Sequence, residues 1–201
     1  DGDALHGLNA SGRSPAGLTA TEVTERGWGS VTVPGAVSAW VALSDRFGAL
    51  PFETLFGPAI DYAENGFPVS PIIARLWEMA GKTLGQQPGF ADCFLPGGRA
   101  PKAGEIFRNP AQAKSLRLIA QTKGAAFYTG ELAEKIVADA ARHGSALSMS
   151  DMADHSVDWC GTLHQDYAGV ALHEIPPNGQ GIAALAALGI LDHFDLASHA
   201  P

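Results

Sequence analysis

The chain has 201 residues, with 13 Lys and Arg against 21 Asp and Glu, and a formal net charge of −8. This charge argues against a protein that follows nucleic-acid phosphates or binds an anionic membrane surface, and no apolar run reaches the roughly 18 residues that a spanning helix needs. We therefore expect neither nucleic acid nor membrane as a partner. Charged residues make up 17% of the chain, below the roughly 25% of typical soluble domains, which indicates an Ala-rich composition or extra surface buried against another part of a protein.

The first half of the chain is predicted to be loop followed by three helices. Residues 1–30 are rich in Gly, Ser and Thr and lack periodicity, which predicts loop with a short strand around residues 4–8. Apolar side chains then recur at helical spacing. The first helix is predicted to begin at about residues 33–35 and to end at 47, and the other two over residues 51–65 and 71–84. Residues 86–105, which contain three prolines, are predicted as loop.

The second half is predicted to be helical up to a late β-hairpin. Asn109 before Pro110 is a good helix start, and Thr129 is expected to cap the next helix, which ends at Gly144. A helical turn around residues 150–154, strands over 157–164 and 169–175 joined through 165–167, and a helix over 180–194 follow. Helices first, then a hairpin and one helix, with little sheet between 34 and 143, predict a helix-rich α+β fold rather than alternating βαβ units.

Residues 179–184 read Gly-Gln-Gly-Ile-Ala-Ala, which fits the G-x-G-x-x-A pattern of dinucleotide-binding turns at a helix start. Pro176 and Pro177 stand between the strand and the glycines, where a dinucleotide-binding turn is tight, and no second strand follows with a ribose-binding acid. We interpret these residues as glycines that allow close packing at a helix start, and predict no cofactor.

Two histidines, His164 and His173, are predicted to face each other across the hairpin, as a pair of zinc ligands would. No H-E-x-x-H or Cys pair supplies a third ligand, so hydrogen-bonded surface histidines are the favoured interpretation and no metal is predicted. The Gly-x-Ser-x-Gly pattern of a nucleophilic serine does not occur either.

Arg13 is the only Lys or Arg in the first 25 positions, between Gly12 and Ser14-Pro15. Small neighbours and a fixed turn would hold its guanidinium where it could bind a carboxylate through two parallel hydrogen bonds. An ordinary exposed arginine is the alternative interpretation.

Six segments form a pattern in a fixed order: LNASGRSPA (8–16), GSVTVPGAV (29–37), FGALPF (47–52), AIDYAENGFPV (59–69), AFYTGELA (126–133) and IPPNGQGIA (175–183). They resemble, in that order, the large subunit of gamma-glutamyltransferases, over about residues 5–192. The resemblance implies that residues 1–201 are part of a large subunit, with no internal domain boundary, in the α/β/β/α sandwich of an N-terminal-nucleophile hydrolase.

The resemblance also implies an activity: transfer or hydrolysis of γ-glutamyl or related acyl amides. In this family the nucleophile is the Thr that opens the small subunit, beyond the Pro-Pro-Asn-Gly stretch, so we expect no catalytic residue within these 201 residues and no activity from them alone. The expected partners are the small subunit of the same precursor and a small acidic amide. A non-catalytic binding domain on the same scaffold is the alternative, and the sequence leaves periplasm and cytoplasm both open.

One position departs from the family pattern. The family's transpeptidases bind the glutamyl α-carboxylate with an Arg four positions before the Pro of this turn, which is Ser11 here, whereas Arg13 lies two residues later. Two residues of extended chain move a guanidinium by up to about 7 Å. We therefore predict Arg13 and Ser11 as substrate-binding residues, with altered carboxylate recognition, and favour an amide-hydrolysing relative, such as an acylase, over a glutathione transpeptidase.

Overall fold

The structure, a computed structural model, describes residues 4–199, apart from the side chains of Ala197 and His199. Its helices are α1 (Ala36–Phe47), α2 (Gly57–Asn65), α3 (Pro71–Leu84), α4 (Phe90–Phe94), α5 (Pro110–Gln121), α6 (Ala125–Tyr128), α7 (Glu131–Arg142), α8 (Met149–Ala153) and α9 (Gly181–Leu191). Its strands are β1 (Leu8–Asn9), β2 (Phe67–Pro68), β3 (Ile106–Phe107), β4 (Asp158–Trp159), β5 (Leu163–Tyr167) and β6 (Val170–Glu174).

The strands form three antiparallel pairs: β1 with β4, β2 with β3, and β5 with β6. Between residues 34 and 143 the described sheet is limited to the two-residue strands β2 and β3. The helix-rich α+β prediction is therefore confirmed. None of the described helices is long and apolar enough to cross a membrane.

Most helix starts follow the predicted signals. The side chain of Asn109 accepts a hydrogen bond from the Gln112 amide at 3.0 Å, which satisfies one of the amides left free at the start of α5. The predicted cap at Thr129 is wrong, because its hydroxyl donates to the Ala125 carbonyl of α6 and Gly130 precedes α7 instead. The Thr129 hydroxyl therefore bonds to the end of α6, although the sequence pattern predicts it as the cap of α7.

Other boundaries differ from the predictions for local reasons. The region 86–105 was expected to be loop but contains α4, where the rings of Phe90 and Phe94 pack with centroids 5.2 Å apart and planes tilted by 42°. Phe94 also packs against Trp77. The predicted strand 157–164 is divided into β4 and the start of β5 at Gly161, which has a φ of 69°. The short strand expected around residues 4–8 lies at Leu8–Asn9.

The hairpin connection was also predicted too early. Residues 165–167 belong to β5, and the turn is Ala168-Gly169, with φ values of 50° and 80°. A two-residue hairpin turn with both φ positive matches the right-handed twist of the strands. Pairing therefore continues to Tyr167 opposite Val170.

Two apolar clusters meet at the segment that leads into α1. The first contains Val33, Ala133, Ala140, Leu147 and Met152, and the second contains Val37, Phe56, Leu116, Ile119 and Ala120. Val33 and Val37 are four residues apart in the sequence and belong to different clusters, so both clusters fix the backbone between them. Val33, together with Thr32 before it, also lines the candidate site.

Many large apolar side chains of the described residues are exposed to solvent. Helix α9 consists of apolar residues and glycine, yet only Leu185 of it is buried, and Ile182 and Ile190 are 48% and 61% exposed. On α3, Ile72 is 73% exposed. Monomeric domains rarely leave contiguous surfaces of this kind uncovered, in keeping with the expected burial against another part of a protein.

Candidate substrate-binding cleft

A polar cleft of about 670 Å³ lies between the turn at residues 11–16, the segment that enters α1, and the chain that follows α8. Its walls include Ser11, Gly12, Arg13, Ser14, Ala16, Thr32, Val33, Asp151, Asp154, His155, Ser156 and Asn178. Both predicted site residues, Ser11 and Arg13, therefore line one cleft, together with residues more than 130 positions away.

The turn that carries Arg13 is held at its backbone. Asn9 accepts a hydrogen bond from the Ser11 amide at 2.9 Å and donates to Asn178 Oδ1 at 3.1 Å, which joins the turn to the Pro-Pro-Asn-Gly segment. The Val33 amide donates to the Arg13 carbonyl at 3.0 Å. The Arg13 side chain is exposed and forms no hydrogen bond or ion pair with the residues that the structure describes. Its guanidinium is free to bind a ligand.

Two glycines allow the walls of the cleft to approach each other. A Cβ atom at Gly12 would overlap the carbonyl oxygen of Val33, and one at Gly35 would overlap that of Ala10. Backbone carbonyls cannot swing aside as a flexible side chain can. Only glycine therefore fits at these two positions. The position of Arg13 depends on Gly12, which lets its turn approach Val33.

Asp151 connects the turn to α8. One carboxylate oxygen accepts from the Ala16 amide at 2.9 Å, and the other accepts from the Ser148 amide at 2.8 Å and the Ser148 hydroxyl at 2.6 Å. Ser148 and Asp151 thereby form a capping box at the start of α8. The Ser148 hydroxyl, followed by the Ala16 amide, lowers the pKa of Asp151 below its ordinary value of 3.8.

The lowered pKa of Asp151 predicts that the stability of the fold falls at acid pH. Because folding lowers the pKa of Asp151, the stabilisation is fully present above the unfolded value of 3.8 and is lost as the pH falls through the folded value. We expect Asp151→Asn to lower the unfolding temperature near neutral pH. Below about pH 4, the unfolding temperature of this variant should fall less steeply with decreasing pH than that of the unmutated protein. Asp154→Asn, in the same cleft, is the matched control and should change neither. Parallel declines of Asp151→Asn and the unmutated protein would contradict the assignment.

His155 lies partly buried at the back of the cleft. Its Nε2 is 2.8 Å from the Ser38 hydroxyl, and its ring stacks on Tyr128 with centroids 5.3 Å apart and planes 20° apart. Tyr128 is fixed in turn, since its hydroxyl donates to the Pro34 carbonyl at 2.8 Å and accepts from the Ser38 amide at 3.0 Å. Burial, and secondly the charge of Arg13, lower the pKa of His155, which favours the neutral ring.

Sequence reasoning did not predict a role in the site for the wall residues from the distant segments, which are Asp151, Asp154, His155, Ser156 and Asn178. The spacing Ser148-x-x-Asp151 is a readable capping signal, and Asn178 stands in one of the recognised segments. Nothing local in the sequence marks His155, because its partners come from α1 and α6.

The other sequence candidates lie apart from the cleft. His164 and His173 do face each other in the hairpin, with rings 5.3 Å apart, and Thr162 Oγ1 lies 3.1 Å from His173 Nδ1. No group of three His, Cys, Asp or Glu residues within residues 4–199 could hold a metal ion. At Gly181 a Cβ would overlap the Glu174 carboxylate. A negative charge at this helix start opposes a phosphate, which favours the packing interpretation of the glycines.

Comparison with known proteins gives a consistent assignment. The family model described as Gamma-glutamyltranspeptidase matches residues 1–201. The chain is 38% identical over 194 residues to the Glutathione hydrolase-like YwrD proenzyme of Bacillus subtilis, covering 93% of this chain and 37% of that protein. It is 36% identical over 173 residues to the Oxamate amidohydrolase proenzyme of Klebsiella pneumoniae, covering 84% and 33%. The chain thus spans about a third of the length of these relatives.

Solved structures agree with the sequence comparison. Cephalosporin acylase from Bacillus halodurans superposes with a TM-score of 0.88 at 42% identity, over 95% of this chain and 38% of that chain. Helicobacter pylori gamma-glutamyltranspeptidase superposes with a TM-score of 0.85 at 26% identity, over 96% and 59%. These likenesses confirm the expected segment of an N-terminal-nucleophile hydrolase fold. With its whole length matched by one family model, the chain belongs to the gamma-glutamyltranspeptidase family of enzymes.

Proposed function

We propose that these residues are a continuous part of the large subunit of an amidohydrolase or acyltransferase, and that the cleft binds the acyl group of a small acidic amide. The observation that carries the proposal is Arg13, whose guanidinium is exposed in a polar cleft while its backbone is held by Val33. A γ-glutamyl group or a related acyl group with a free carboxylate is the expected substrate class.

The surrounding charges favour one carboxylate at Arg13. The oxygens of the Asp151 carboxylate accept hydrogen bonds from Ala16 and Ser148, and among the described residues Asp151 forms no ion pair with Arg13, so the guanidinium keeps its donors for a ligand. Asp154 lines the same cleft and repels a second anionic group. The site therefore suits a substrate with one carboxylate at the Arg13 end. Ser11, at the other side of Gly12, can add a neutral hydrogen bond.

The chemistry would come from outside this segment. On this proposal the Thr hydroxyl at the start of the small subunit attacks the amide carbonyl while its own α-amine takes the hydroxyl proton. The amide C–N bond then breaks, the departing amine receives that proton, and the acyl group passes from the Thr ester to water or to an acceptor amine. The names of the relatives as proenzymes support such a precursor. The exposed apolar faces of α9 and α3 are surfaces that the remainder of the precursor would cover.

The proposal is tested with the full-length protein and with residues 1–201 alone. We expect the full-length precursor to be cleaved and to release aniline from γ-glutamyl anilide faster than from a neutral acyl anilide of the same length. Residues 1–201 alone should show no turnover, because binding without a nucleophile leaves only a small residual rate. A full-length protein that is neither cleaved nor active on any amide would instead favour the non-catalytic binding domain.

A further inference from the structure

The contacts of Ser38 determine which nitrogen of His155 carries the proton. Ser38 Oγ lies 2.6 Å from the Gly35 carbonyl oxygen and 2.8 Å from His155 Nε2. A carbonyl oxygen cannot donate, so the single hydroxyl proton of Ser38 points to Gly35. Ser38 Oγ can then only accept from His155, which means that the neutral ring is protonated at Nε2.

The second ring nitrogen is thereby left as an acceptor. Within residues 4–199, Nδ1 of His155 has no hydrogen-bond donor, and no buried side-chain nitrogen or oxygen there lacks a partner, so Nδ1 is accessible rather than enclosed. His155 lines the same cleft as Arg13. Stacking on Tyr128 fixes the plane of the ring, so the lone pair has a defined direction.

We infer that His155 is a substrate-binding residue, whose Nδ1 accepts a hydrogen bond from an N–H group next to the carboxylate that Arg13 binds. The cleft would then select acyl groups that carry an amine or amide N–H beside the carboxylate, over carboxylates that lack it. Ser38 acts as a positioning residue, since it determines the protonated nitrogen. The inference rests on the proposed function of Arg13. This role requires a neutral imidazole ring. Burial and the charge of Arg13 favour that form, because both lower the pKa of His155.

The test uses two probes, L-glutamate and glutarate, which differ by the amino group beside one carboxylate. Their dissociation constants are measured by calorimetry on the full-length protein and on three variants. His155→Asn places an amide near the position of Nδ1, His155→Gln places one near Nε2 and Ser38, and Arg13→Ala removes the proposed carboxylate ligand. A hydrogen bond to a charged group predicts a preference for L-glutamate of about 10-fold or more.

The two isosteric variants separate binding from a purely structural role. We expect His155→Asn to keep most of the preference for L-glutamate and His155→Gln to lose it, although Gln keeps the contact with Ser38. The nitrogen-15 resonance of Nδ1 should be that of an unprotonated nitrogen and should shift with L-glutamate but not with glutarate. A preference kept by His155→Gln and lost by His155→Asn would overturn the inference.

Failure of the inference and failure of the proposed function give different results. If Arg13→Ala weakens both probes while no His155 variant changes their ratio, the inference about His155 is wrong and the role of Arg13 stands. If Arg13→Ala leaves glutarate binding unchanged, the proposed carboxylate site itself is wrong.

Discussion

Replacing Gly12 by alanine should lower the free energy of unfolding of the full-length protein by about 3 kcal/mol, the upper part of the usual range for overpacking. The new Cβ would overlap the backbone carbonyl of Val33, so two segments of main chain must separate. That separation breaks the 3.0 Å hydrogen bond from the Val33 amide to the Arg13 carbonyl. The substitution should therefore also displace Arg13 and weaken binding of an acidic ligand.

Gly179→Ala is the matched control for this prediction. Gly179 does not have a positive φ, and an added Cβ would have no described atom within 4 Å beyond its two chain neighbours. The next residue is Gln180 rather than a proline, so alanine there should change the free energy of unfolding by no more than about 1 kcal/mol. Thermal and urea unfolding of both variants would measure the difference. Equal unfolding of Gly12→Ala and Gly179→Ala would show that residue 12 and the Val33 carbonyl are not in tight contact.

The parts of the fold that the sequence could predict are those with local causes. Helix α3 begins after Ser70 and ends at Leu84 as predicted, and α5 begins after the Asn109 cap, because caps, prolines and apolar spacing act within a few residues. Where two local signals compete, the sequence does not say which prevails. The hydroxyl of Thr129 bonds back to α6 rather than forward to α7.

The cleft could be predicted only in part, because it depends on contacts between distant segments. Arg13 and Ser11 were identified from their turn and from the family pattern, and both line the cleft. Asp151 and His155 join it through hydrogen bonds that span 135 and 117 positions, to Ala16 and Ser38. No periodicity or capping signal encodes such pairings, so they required the structure.

The largest functional effect is expected for Arg13→Ala in the full-length protein. A charge-assisted, bidentate contact with a carboxylate contributes roughly 1.5–3 kcal/mol, so the variant should lower kcat/KM for an acidic amide by about 10- to 150-fold. Arg13→Lys should recover only part of this loss, since an ammonium cannot form the two parallel hydrogen bonds. Ser11→Ala should cost much less, because a neutral hydroxyl contributes about 0.5–1.5 kcal/mol.

The most direct measurement is the ratio of kcat/KM for γ-glutamyl anilide to kcat/KM for a neutral acyl anilide, in the full-length protein and in Arg13→Ala. If Arg13 binds the substrate carboxylate, the variant lowers the rate on the γ-glutamyl substrate by at least about 10-fold and leaves the neutral substrate nearly unchanged, so the ratio collapses. An unchanged ratio, with both rates kept or both reduced equally, would contradict the assignment of this cleft as the carboxylate-binding site.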